Sequence, residues 1–366
     1  ALVVADGPRL KEDDQAEWLS MLDAELPELR AAMDWYLSCG RPDPAAEMLL
    51  TTIDHWHIRG RYAEFTRRSE ELLARPDLSD VQQGAVATIA SHEALMAGRL
   101  ADGYHLADHA LEMTDMDESY RARALANRAW CGFFSGLGSD TQIWSDAAEV
   151  QSVVQRLGDD RLRAELDTFR APLTTMTRSI QVGTDLDADV VARSAPLTRV
   201  ALSGLMFQAY GTALTDLRLE HRSAIAHEAL SRSRAVGHRA FEVMALAAVG
   251  TVAALRGEEE KAERHLEHAA AIAGEEDLPT FTNAAQRWRA FAHYRFDRDD
   301  TAAQAEHAVD LGRGEIGTGE ELGIHGGLGD LDIGLSSDGQ RRAISGWMGR
   351  PGSRGVVGVA LAGWTR

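Results

Sequence analysis

Residues 241–273 read FEVMALAAVGTVAALRGEEEKAERHLEHAAAIA, and this stretch decides the fold. Ala245, Ala248, Gly250 and Ala254 recur at helical spacing and give a first helix a face of small residues. Gly257 breaks that helix, and Ala262, Leu266, Ala269 and Ala270 pattern a second one. A turn this short returns the chain antiparallel to itself. Small residues at the crossing let the two axes approach, because a larger side chain would push the helices apart. Glycine at the turn takes a positive φ without steric cost.

The same unit recurs. Residues 84–113 carry Ala90, Ala94 and Ala97 before Gly98, and Ala101, Ala107, Ala110 and Leu111 after it. Less regular copies fall at 45–73 around Gly60, at 120–157 around Gly136 and Gly138, at 199–236 around Leu217 to Glu220, and at 281–309 around Asp297 to Asp300. Six helical hairpins of tetratricopeptide type follow. Each alone exposes an apolar face, so neighbours must stack. The expected fold is all-α, a superhelical array of antiparallel helical hairpins.

The array divides into an N-terminal sub-array over residues 17–170 and a C-terminal one over 199–310. Between them, 171–198 reads as an irregular connection interrupted by Pro172, Gly183 and Pro196. Residues 1–16 read as a linker from an upstream module. From residue 311 the composition changes: 16 of the 33 glycines lie in the last 56 residues, and no acidic residue follows Asp338. A Gly-rich tail of this kind, native or the product of a reading-frame error, is expected to be disordered.

Charge and motifs exclude several functions. Lys plus Arg total 38 against 57 Asp plus Glu, a net charge of -19, which argues against a phosphate-backbone grip by residues 1–310. No stretch approaches the roughly 20 apolar residues of a membrane span. Cys39 and Cys131 form no CxxC pair, so a reducing, cytoplasmic setting is expected. The only lysines, Lys11 and Lys261, do not follow glycine, which removes the phosphate-binding P-loop and with it a nucleotide cofactor site from this chain. Gly312, Gly314 and Gly317 spell GxGxxG, but no strand precedes them and no apolar helix follows.

Histidine pairs at helical spacing are His105 with His109, His265 with His268, and His55 with His57 around Trp56. None has a third ligand in a recognisable local pattern, so no metal ligand and no catalytic residue is assigned. The tryptophans, among them Trp18, Trp35 and Trp144, are read first as fillers between stacked hairpins. Their functional alternative is a partner-binding groove whose candidate lining is Trp56, Arg59, Arg61, Trp130 and Trp288.

Residues 17–75 carry a more specific pattern: Trp18-Leu19, Leu22, Glu25, Leu29-Arg30-Ala31-Ala32-Met33 and Trp35, then Trp56, Arg59-Gly60, Glu64 and Leu72-Leu73. This resembles the opening of the helical repeat domain that follows the ATPase module in large bacterial ATP-dependent transcriptional regulators of the LuxR-type and antibiotic-regulatory kind (the STAND ATPase class). Glu28, after Pro27, stands where that family usually has Asn before Leu-Arg. The resemblance implies a sensor region that binds a small-molecule inducer or a protein partner and controls an upstream nucleotide switch in cis. The DNA-binding helix-turn-helix of LuxR-type members is not legible in 311–366. Two alternatives stand beside it: a stand-alone tetratricopeptide-like interaction scaffold, and an all-helical enzyme, which would need carboxylates or histidines clustered on one cavity.

Overall fold

A computed structural model describes residues 15–296, apart from 178–179, 195–197, 213–218 and 277. The upstream linker, the second helix of the last hairpin, the GxGxxG and the Gly-rich tail all lie outside the described residues, save residues 15 and 16. Among the described residues there are fifteen α-helices and no strand. The first four are α1 (Gln15–Ser38), α2 (Pro42–Thr51), α3 (Ile53–Ile58) and α4 (Tyr62–Leu73). Then come α5 (Asp80–Met96), α6 (Leu100–Glu112), α7 (Glu118–Ser135), α8 (Asp140–Leu157) and α9 (Asp160–Thr177). The rest are α10 (Ile180–Arg193), α11 (Arg199–Thr212), α12 (Leu219–Val236), α13 (Arg239–Leu255), α14 (Glu259–Glu275) and α15 (Pro279–Arg295). The stretch read as an irregular connection therefore holds the end of α9, which runs through Pro172, and all of α10.

Helix limits follow local chemistry. Ser79 and Ser139 sit before α5 and α8 and accept from the Gln82 and Gln142 amides, and Asp117 accepts from Ser119 N before α7. Each side chain satisfies a donor the first helical turn leaves open. Gly60, Gly98 and Gly136, each 38 residues beyond the last, end α3, α5 and α7 with φ of 65°, 78° and 74°. That left-handed backbone is one only glycine adopts cheaply.

Helices adjacent in sequence pack as neighbours along the chain. In addition α2, α5, α7, α9, α11, α13 and α15 touch one another in succession, whereas α6, α8, α10 and α14 pack chiefly on their sequence neighbours. The first set forms one continuous row, and the second lies beside it. Polar ties repeat at about one hairpin's length: Ser79 N to Asp43 at 36 residues' separation, Asn127 to Ser91 at 36, Arg156 to Glu118 at 38 and Arg239 to Glu276 at 37.

One set of contacts is not between successive hairpins. Leu19 and Leu22 of α1 and Ile58 of α3 share a core cluster with Leu205 of α11, Ala226 of α12 and Phe241 of α13. Arg199 Nε bonds Asp54 Oδ1 at 2.6 Å across 145 residues, and Arg59 Nη1 donates to the Val236 carbonyl across 177. The N-terminal helices thus lie against α11–α13. No helix among the described residues is long and apolar enough to cross a membrane.

Candidate functional site

The seam between the N-terminal helices and α11–α13 buries an unusual density of ionisable side chains. It begins in α3, whose six residues Ile53 to Ile58 are all buried. A six-residue helix with no exposed face must place its polar groups against partners. Thr52 Oγ1 takes the Trp56 indole N–H at 2.9 Å, His55 Nε2 meets Asp23 Oδ1 of α1 at 2.9 Å, and Asp54 takes Arg199.

His57 faces the other way. Its Nδ1 stands 3.1 Å from Glu93 Oε1 of α5, and its ring lies nearly parallel to that of His92, with centroids 5.2 Å apart. Tyr62 and His238 present ring edges to it at 5.5 and 5.4 Å, and His238 stacks on Phe241 at 3.8 Å. His92 Nε2 is 4.0 Å from Glu93 Oε1. Beneath this cluster runs an ion chain: Asp54 to Arg199, Arg199 to Glu165 at 3.6 Å, and Glu165 to Arg123 through two 2.8 Å bonds.

Burial sets the protonation here. Desolvation, with the Arg199 charge added, holds the His57 imidazole down at about 3, and desolvation does the same to His92, also at about 3. His238 is lowered well below the ordinary range, chiefly by burial. The Glu93 carboxyl is pushed up to about 7 by burial, and the buried Tyr62 phenol is raised well above its usual value. These three imidazoles are therefore neutral near neutral pH.

Hydrogen bonding in the cluster is incomplete. Both ring nitrogens of His92, Glu93 Oε2, the Tyr62 hydroxyl and His238 Nε2 are shut off from solvent without a hydrogen-bond partner. Such atoms are costly and uncommon one at a time, and here they share one place. The ligand-capable atoms of His57, His92 and Glu93 all lie within 4.8 Å of one another, the one group of this kind among the described residues.

The three tryptophans of the groove read from sequence lie in different places. Trp56 packs with Leu49 and Phe65, Trp130 with Phe134, and Trp288 with Leu266, in three separate clusters, each at most 5 % exposed. These tryptophans fill gaps between hairpins, as large apolar side chains do. Arg59 is committed to Asp23 and the Val236 carbonyl, and Arg61 Nε is buried without a hydrogen-bond partner. Of the paired histidines, His55 and His57 point to different partners, one on α1 and one on α5. His92 and Glu93 went unread because they stand 35 and 36 residues from His57, about one hairpin away. The signal available was a polar HE pair inside the Ala-rich face of α5. No protein-family model matches this sequence, and no curated protein was found similar to it.

Proposed function

We propose that the chain is the sensor and scaffold repeat region of a cytoplasmic ATP-dependent transcriptional regulator, a tetratricopeptide-like superhelix of helical hairpins. An inducer or protein partner binds to it, shifts the packing of hairpins and biases an upstream nucleotide switch. The observation that carries this reading is the regular hairpin recurrence, with turn glycines 38 residues apart and polar ties spanning 36. In a stacked array each hairpin is wedged between its neighbours, so a rotation at one crossing is passed along the row. The resemblance of residues 17–75 to the opening of that regulator domain supplies the ATPase connection, and the chain's own lack of a P-loop Gly-Lys fits a switch located upstream.

The test is ATP binding and turnover by the protein expressed from its whole gene, with and without the array. An upstream module whose nucleotide affinity or turnover changes when the array is removed supports the proposal. An upstream sequence that binds no nucleotide overturns it and leaves a stand-alone interaction scaffold.

A further inference from the structure

We propose that His57, His92 and Glu93 form a binding site for one divalent transition-metal ion, with Zn²⁺ as the reference ion. Two imidazoles and one carboxylate are a donor set that borderline ions accept and that the oxygen-seeking Mg²⁺ and Ca²⁺ do not. One separation already fits, and the three ligand atoms all lie within 4.8 Å of one another. Around a tetrahedral ion with bonds of about 2.0–2.1 Å, neighbouring ligand atoms stand about 3.3 Å apart. His57 Nδ1 and Glu93 Oε1 are 3.1 Å apart, and His92 Nε2 is 4.0 Å from the same oxygen.

The stacked rings of His57 and His92, inclined by 15°, do not yet aim their in-plane lone pairs at one point. Coordination therefore requires His92 to turn, and that ring has no hydrogen bond to lose. The unpartnered atoms supply the second argument. Glu93 Oε2, the Tyr62 hydroxyl and His238 Nε2 are stranded around the three ligands. An ion carrying a bound water would occupy His92 and give these groups a partner, as outer groups commonly do around metal sites. The site joins α3 to α5 across one hairpin and borders α13 through His238, so an occupied site would clamp the seam. This inference stands independently of the regulatory reading, because it concerns the chain's own metal affinity and no nucleotide enters its test.

The experiment takes the full chain carrying Cys39→Ser, which removes its exposed thiol, stripped with a chelator and dialysed free of metal. Zn²⁺ is titrated by calorimetry, Co²⁺ by visible absorption, and unfolding is followed with and without Zn²⁺. The expected result is one Zn²⁺ per chain, a Co²⁺ spectrum of four- or five-coordinate character and a raised Tm. His92→Gln is expected to weaken binding about 100-fold or more, with the metal-free helix content and Tm unchanged. Glu93→Gln is expected to weaken binding as well. Absence of binding overturns the proposal and leaves ordered water as the partner of the stranded atoms. Equal binding by wild type and His92→Gln also overturns it, because the ion would then sit elsewhere.

Discussion

A single methyl group tests the close approach of α13 and α14. A Cβ added at Gly250 would stand 2.8 Å from Leu266 Cγ and 3.2 Å from the Ala262 carbonyl oxygen. Leu266 is fully buried, and the clash falls near the base of its side chain rather than at a free end. Overpacking of this kind costs about 1–3 kcal/mol, and alanine's better helix propensity returns up to about 1 kcal/mol. Gly250→Ala should therefore lower the urea midpoint, with a net loss of up to about 2 kcal/mol once the propensity gain is subtracted; a higher midpoint would show that the helices can part without cost. The small residues at this crossing were legible in the sequence because Gly250 and Ala254, four apart, share one helical face toward Ala262 and Leu266. The metal-capable trio was not legible. His57 lies within an apolar, buried helix, and its partners are a whole hairpin away, where local spacing rules see nothing.

At the scale of helices, α1 and α4 are held by crossed ion pairs. Arg30 of α1 reaches Glu64 of α4, while Arg68 of α4 reaches Asp34 of α1 at 2.9 Å and Glu64 at 3.3 Å. Burial by itself raises the Glu64 carboxyl, but hydrogen bonds from Arg30 and Arg68 outweigh it, and the net shift is downward from 4.5. A carboxyl held lower in the folded than in the unfolded chain stabilises the fold above its unfolded value. That contribution is lost as pH falls through the folded one. The Tm advantage of wild type over Glu64→Gln should therefore be whole above pH 4.5 and shrink as the pH drops below it. A gap between the two proteins that stays constant down to the acid limit would assign the effect to packing alone. These pairs tie α1 to α4, the helix that follows α3. Arg59, Arg61, Arg67 and Arg68 cluster within ten residues of sequence. Arg59 and Arg68 turn out to face carboxylates of α1.

At the scale of the whole molecule, a purely linear array would be stabilised by nearest-neighbour terms only, and its end hairpins would fray independently. This chain adds a long-range seam, in which α1 and α3 pack against α11–α13. Hairpin recurrence reveals the neighbours but not this seam, because contacts across 145 and 177 residues leave no periodic trace in sequence. Arg199 is the residue on which the seam can be tested. Its side chain is 12 % exposed and answers Asp54, itself 5 % exposed, whereas Glu165 keeps Arg123 as a second partner. Replacing Arg199 with Met leaves the Asp54 carboxylate buried without its countercharge, a change that costs about 3–5 kcal/mol when a buried pair loses one member. The loss should not stay on α11. Amide hydrogen exchange should accelerate in α3 and at the start of α13 as well as in α11, while α6 and α8, away from the seam, keep their protection. Exchange that quickens in α11 and its sequence neighbours alone would mean that the N-terminal helices rest on the seam without depending on it, and the array would then behave as a linear stack.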